Sequence, residues 1–365
     1  MKNIIVQVVQ HLRPGGIETM ALDLMNQLDN QCEMHIFSLE GNAQQAISQW
    51  PRLEKWQHRL HFFNKQPGLD PTLVWSMSRH LKQLNASALH SHHIGPLFYG
   101  GIAAKLAGIT NHVHTEHDAW HLHQKSSYRL QSLLIHTLRP TLVADCHEVA
   151  EEMLFYFPTA QPEIILNGID VNHFTPASAQ QKQLAREHLK LPKNALLIGC
   201  AARLENVKGH QYLLKALSLS DENLTLVLAG DGSLRAGLEA SAKSLGIEQR
   251  VIFLGALNDM VPFYQAIDLF CLPSLNEGLP LSPLEAQASG IPVILSNVGG
   301  CKSIVDSSSG QLVPAADVPA LQHAIAKFQK CKIPLNPRQF VMQSGNLEKT
   351  ANAYFSLLNN QPAAQ

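Results

Sequence analysis

The chain has 365 residues, 45% hydrophobic and 16% charged, with a formal net charge of −1. That length exceeds one ordinary core and predicts about two domains. The near-zero charge gives no electrostatic footprint for nucleic acid, and no apolar run approaches the ~18 residues of a membrane span.

Short apolar runs alternate with helical patterns from the start. Residues 3–9 read as a strand, too short an apolar run for a signal peptide. Ile17, Met20, Ala21, Leu24, Met25 and Leu28 follow the spacing of an amphipathic helix. Further strands are expected at 34–38, 87–91, 111–115, 141–145 and 163–166, with helices at 72–84, 96–107, 126–137 and 147–156. Asn167–Asp170 reads as a turn and Pro176–Gln183 as a polar linker. The alternation then restarts: strands at 195–202, 224–229, 251–254, 269–272, 292–295 and 311–313, helices from about His210 and through Leu238, and a helical tail over 346–359. Such alternation predicts an α/β protein with two successive doubly wound parallel sheets, and a cleft between them as the ligand site. The expected domains are 1–170 and 171–345, with the helix 346–360 packing back on the first.

The two halves differ in chemistry. Up to residue 175 there are 12 Lys and Arg against 15 Asp and Glu, beyond it 16 against 14, and sixteen of the 19 histidines precede residue 175. Cys32, Cys146, Cys200, Cys271, Cys301 and Cys331 form no CxxC pair. That pattern fits reduced thiols in a cytoplasmic chain and opposes a disulfide framework or a zinc site.

Glu277 and Glu285 stand out in Asn276-Glu-Gly-Leu-Pro-Leu-Ser-Pro-Leu-Glu285. The first lies in a Gly/Pro-punctuated loop, the second on a helix beginning near Leu284. Two carboxylates with no basic neighbour in sequence suit a polyhydroxyl ligand, through charge-assisted bonds from its hydroxyls. A solvated loop acid and an acid near a helix N-terminus is the blander alternative. Arg203 and Lys208 follow the strand at 195–202 and precede a helix, a position where two cations can clamp a diphosphate. Gly230-Asp-Gly232, Gly255 and Gly299-Gly300 also fall at strand ends, where glycine admits close approach or a plain turn. His112-Val-His114-Thr-Glu116-His117, with Ser91-His92-His93 nearby, has the outline of a hydrolase metal motif or of polar rim histidines. Tyr128–Arg139 offers either a core-facing helix or a basic-edged surface for a membrane acceptor.

Arg203…Lys208-Gly209, Gly230-Asp-Gly232, and Glu277-Gly278-Leu279 through Glu285-Ala, followed by Gly290-Ile-Pro-Val, resemble the large retaining glycosyltransferase family of the two-Rossmann (GT-B) fold. That family (family 4 type, group 1) includes sucrose synthase and bacterial mannosyltransferases. Asn167–Phe174 is similar to its interdomain segment, and Gly15-Gly16-Ile-Glu18 to its acceptor-side glycine loop. The resemblance covers essentially the whole chain and is stronger in the carboxyl half.

It implies transfer of a sugar from a UDP- or GDP-sugar donor to the hydroxyl of a glycan or lipid-linked acceptor, with retention and without a cofactor or metal. Arg203 and Lys208 would hold the diphosphate, beside Gly230, and Glu285 the ribose. Glu277, Gly278 and Leu279 would face the sugar; an aromatic is more usual at Leu279. Gly15 and Gly16 would admit the diphosphate or acceptor. A histidine of the other domain would reach the sugar, His114 as first choice and His117 as second. Surface polysaccharide, lipopolysaccharide or glycolipid synthesis would follow, in the cytoplasm or peripherally at the inner face of the membrane. A nucleotide-sugar epimerase of the same fold and a His-rich metal-dependent hydrolase are the alternatives.

Overall fold

The computed structural model describes residues 2–330 and 335–359. Two compact units divide the chain: residues up to Gly168 together with those from Leu347 on, and Ile169–Asn346. The first contains β1 (Ile4–Val9), α1 (Gly16–Gln27), β2 (Glu33–Ser38), α2 (Ala43–Gln49), β3 (Leu60–Phe62), α3 (Pro71–Leu84) and β4 (Ala88–His92). It continues with α4 (Ile94–Ala107), β5 (Asn111–Glu116), α5 (Lys125–Leu138), β6 (Thr141–Ala144), α6 (His147–Tyr156) and β7 (Glu163–Ile164). The second holds α7 (Ala179–His188), β8 (Leu196–Ala201), α8 (His210–Ser218), β9 (Leu224–Ala229), α9 (Arg235–Ser244), β10 (Val251–Gly255) and α10 (Val261–Ala266). Then come β11 (Leu269–Leu272), α11 (Leu281–Ala288), β12 (Val293–Ser296), β13 (Gly310–Val313), α12 (Val318–Lys330) and α13 (Pro337–Ser344). The last helix, α14 (Leu347–Asn359), belongs to the first unit.

Each unit is built on one parallel sheet, ordered β3-β2-β1-β4-β5-β6-β7 in the first and β10-β9-β8-β11-β12-β13 in the second. Strand order reverses between β1 and β4, and between β8 and β11. At such a switch point adjacent crossovers depart to opposite faces and leave a crevice at the strands' carboxyl ends. β1 and β9 are apolar runs, as strands covered on both faces must be. β4 (Ala-Leu-His-Ser-His) and β5 (Asn-His-Val-His-Thr-Glu) are largely polar yet buried. Their groups pair internally: Ser91 Oγ lies 2.8 Å from His112 Nε2 and 3.0 Å from His114 Nδ1. His90 Nε2 meets Thr115 Oγ1 at 2.8 Å, which meets the Tyr354 hydroxyl of α14 at 3.0 Å. Asn111 Nδ2 donates to the carbonyls of Leu357 and Leu358, and Tyr354 and Leu358 fill the core beside α1.

Several expectations are corrected. The polar run Pro176–Gln183 is no linker: α7 starts inside it, because Ser178 and Gln181 form a reciprocal capping box. The helix carrying Glu285 begins at Leu281, with Pro283 tolerated in its first turn. Residues 39–70, read without elements, hold α2, a 3-10 stretch at Pro51–Arg59 and the three-residue edge strand β3. The helices α10, α12 and α13 were also unexpected. α5 turns one face inward, with Gln131 and Leu134 buried and Ile135 packed against a small apolar cluster, while Tyr128 and Leu133 are exposed. Five cysteines are free and buried, and Cys331 lies outside the described residues.

Candidate active site

At the switch point of the second unit the loop after β8 meets the loop after β11. Gly209, at φ +67°, closes a 3-10 turn over Asn206–Lys208, and any Cβ there would collide with the carbonyl oxygen of Pro273. The Leu275 N–H donates to the Val207 carbonyl at 2.7 Å. This backbone seam brings together two groups far apart in sequence. Lys208 Nζ donates to both carboxylate oxygens of Glu277, at 2.7 and 2.8 Å, and Ser274 Oγ donates to Oε1 at 2.6 Å. Glu277 and Ser274 are buried, and Lys208 is half-buried.

The other flank of the Glu277 loop is clasped by β12's exit. Gly299 sits at φ +44°, so close that a Cβ would overlap the Glu277 carbonyl oxygen, and the Gly300 N–H donates to Gly278 at 2.9 Å. Gly230, at φ +132°, lies against the Ala202 carbonyl, and its N–H donates to Gly255 at 2.8 Å. Gly299 and Gly230 both meet a real demand for close approach and positive φ. Leu279 is buried. Arg203 is exposed, and its guanidinium has no hydrogen bond or ion pair among the described residues. The expected pair of cations is therefore one free arginine and one lysine already matched to a carboxylate.

Each of the two glutamates is held by a partner of its own. Glu277 has a basic partner in space, and Glu285, half-buried on α11, accepts from the Tyr264 hydroxyl at 2.6 Å. Sequence reading missed Ser274 and Tyr264. Ser274 stands three residues before Glu277 at the end of β11, a placement that could have drawn notice. Tyr264, 21 residues upstream of Glu285, left no such signal.

In the first unit the switch point lies between the exits of β1 and β4. Gly16 opens α1, and a side chain there would meet nothing within 4 Å. Gly15, expected to admit ligand, is instead covered by the Glu18 carboxylate, which also approaches His11 Nδ1 at 3.2 Å. Burial pushes Glu18 above the usual carboxylate range, against the pull of His11, His93 and His117. His93 is held at φ +66° and ψ 170°, a region where non-glycine residues are strained. His93 Nδ1 lies 3.2 Å from Glu116 Oε1.

His114 does not point out of the strand end. It lies inside β5, fully buried, tied to Ser91 and 3.5 Å from Glu116 Oε2. His117, just beyond β5, holds the edge position: Nδ1 faces Asp145 Oδ2 and Nε2 faces His92 Nδ1, each at 3.1 Å. Asn167 Nδ2 donates to the same Asp145 oxygen at 3.0 Å. This arrangement does not support the metal reading of the run. Among the described residues no group of three or more His, Cys, Asp or Glu is arranged to hold a metal ion.

His121 approaches Asp118 Oδ1 at 3.8 Å and Glu116 Oε2 at 3.9 Å. Burial disfavours its charge, but Asp118, Glu116 and Gln131 outweigh it and raise its pKa to about 9. A histidine that binds its proton more tightly when folded stabilises fully below its unfolded pKa of about 6.5. That contribution is lost as pH rises through about 9. Thermal unfolding at pH 6, 7.5 and 9.5 should therefore show the wild type losing more stability on alkalinisation than H121Q, in which the linkage is gone.

Both halves of the chain match family models: residues 14–173 match Glycosyltransferase Family 4, and 181–343 match Glycosyl transferases group 1. The Bacillus subtilis (strain 168) protein named Putative glycosyltransferase EpsF is 31% identical over 80% of this chain and 79% of its own length. An Escherichia coli UDP-Gal:alpha-D-GlcNAc-diphosphoundecaprenol alpha-1,3-galactosyltransferase is 30% identical over 71% of this chain and 70% of that protein. Among solved structures, Anabaena Alr3699/HepE in complex with UDP and glucose superposes with a TM-score of 0.84 at 22% identity, covering 98% of this chain and 99% of that one. Sucrose-phosphate synthase from Thermosynechococcus elongatus gives 0.78 at 18%, covering 98% of each. The chain belongs to the group 1, family 4 type glycosyltransferases and has their two-Rossmann, GT-B fold. It is a glycosyltransferase, and among its described residues no helix is long and apolar enough to cross a membrane.

Proposed function

We propose that the enzyme transfers a sugar, with retention, from a nucleoside-diphosphate sugar to a hydroxyl of a glycan or lipid-linked acceptor. The observation that carries this reading is the Lys208–Glu277 pair at the switch point of the second sheet, with the exposed Arg203 in the same loop after β8. In the proposed reaction the bond from the anomeric carbon to the diphosphate oxygen breaks, leaving charge on the diphosphate. Arg203 and Lys208 neutralise that charge in place of a divalent metal; such preorganised stabilisation is commonly the largest catalytic term. The acceptor oxygen bonds to the anomeric carbon on the face the diphosphate leaves, and its proton passes to the departing phosphate oxygen. Glu277, Gly278 and Leu279 line the sugar, Glu285 accepts from the ribose, and Gly16 admits ligand at the other unit.

The donor and acceptor classes draw support from the Escherichia coli relative, whose name specifies UDP-Gal and a diphosphoundecaprenol, and from the UDP in the Anabaena structure. They point to surface-glycan synthesis on the cytoplasmic side, with exposed Tyr128 and Leu133 of α5 offering a peripheral contact with the membrane's inner face. A thermal-shift screen of UDP- and GDP-sugars tests the donor. One nucleotide should raise the melting temperature in saturable fashion, corresponding to about 2.7 kcal/mol at a hundredfold excess over Kd. No shift with any nucleotide would sink the reading. Turnover of the donor without acceptor would instead favour an epimerase.

A further inference from the structure

Tyr264 is the third residue from the end of α10, and its side chain is fully buried. Its ring packs edge-on against Phe174 and Phe263 and tilted against Phe270, with centroids 5.7, 5.2 and 6.1 Å away. A tyrosine in such a core must find its hydroxyl a partner. Here the partner is a carboxylate on a neighbouring helix: the phenol donates to Glu285 Oε2 at 2.6 Å, the short distance of a charge-assisted bond. Burial and the Glu285 charge push the phenol well above its usual range, so it remains a donor throughout the working pH.

We propose that Tyr264 is a positioning residue: its hydroxyl fixes the Glu285 carboxylate in the orientation that accepts the ribose hydroxyls of the bound nucleotide. This rests on the assignment of Glu285 to the ribose. A glutamate on a half-buried helix face has three side-chain torsions to immobilise when it binds a ligand. The phenol, itself locked by three aromatic rings, immobilises them beforehand, so that binding does not have to. It occupies one lone pair of Oε2. The three-ring cage therefore sets a ligand geometry from within the core.

Tyr264→Phe keeps the ring and removes only the donor, so the core is retained. Isothermal titration of the full chain would compare UDP and GDP with their 2′,3′-dideoxy counterparts, in wild type, Y264F and E285Q. For whichever base binds, Y264F should weaken the ribonucleotide about tenfold and the dideoxynucleotide less than about twofold. E285Q should erase most of the wild-type preference for the ribonucleotide. Should E285Q erase the preference while Y264F keeps it intact, Tyr264 does not position Glu285, although Glu285 does read the ribose. Equal weakening of both nucleotides by Y264F would also overturn the proposal, marking a general effect on the fold. If E285Q retains the full preference, the ribose assignment itself is wrong, and the proposal falls with it.

Discussion

Lys208→Ala should lower kcat/KM by about a thousandfold and destabilise the second unit at the same time. Removing one preorganised partner of a developing oxyanion commonly costs 10²–10³ in rate. Here the deletion also leaves Glu277 buried with only Ser274, and breaking a buried ion pair from one side costs about 3–5 kcal/mol. The two losses are separable. Lys208→Met combined with Glu277→Gln removes both charges and keeps volume, so it should recover most of the stability while remaining inactive. Circular dichroism melts with initial rates on the wild type, K208A, E277A and K208M/E277Q would decide. If K208A or E277A, verified as folded, transfers sugar at the wild-type rate, the assigned chemistry is wrong.

A comparable loss is expected from one methyl group at a position that touches no ligand in the proposed reaction. Gly299→Ala would place a Cβ on the Glu277 carbonyl oxygen at a backbone φ of +44°. Neither side can yield cheaply, because the obstacle is backbone and the Gly300 N–H is already bonded to Gly278. A positive-φ alanine is strained before any clash is counted, so destabilisation should exceed about 2 kcal/mol. The Glu277 loop would shift with it, and activity should fall more than the melting temperature explains. Gly237→Ala, on exposed α9 where a Cβ meets nothing within 4 Å, is the control expected to be neutral or slightly stabilising. A G299A protein with wild-type stability and rate would show that the clasp does not hold the loop.

Much of the framework was legible because parallel strands announce themselves as apolar runs, and Arg203, Lys208, Glu277 and the glycines all fall at strand ends. Hydrogen bonds across the fold were not legible. Nothing in the sequence couples Lys208 to Glu277, or Tyr264 to Glu285, because one bond depends on loops and the other on helices that sheet order brings together. The capping box at Ser178 could have been read from Ser178 and Gln181, but the polar composition of the run concealed it. The burial of His114 was hidden for a different reason. A polar strand looks like a solvent edge in sequence, yet β4 and β5 are buried and their histidines bond to side chains of the neighbouring strand.

The first unit is closed by α14, which the ribosome delivers only after the whole second unit. Between Gly168 and Leu347 lies the whole second unit, and at 5–20 residues per second its synthesis takes roughly 10–40 s. During that interval the nascent first sheet lacks Tyr354 and Leu358, and the buried hydroxyl of Thr115 lacks its phenol partner. The second unit, contiguous in sequence, has everything it needs as soon as α13 emerges. Of the two units, the later-translated one is therefore the first that can finish folding, and the earlier one must wait for α14 to emerge.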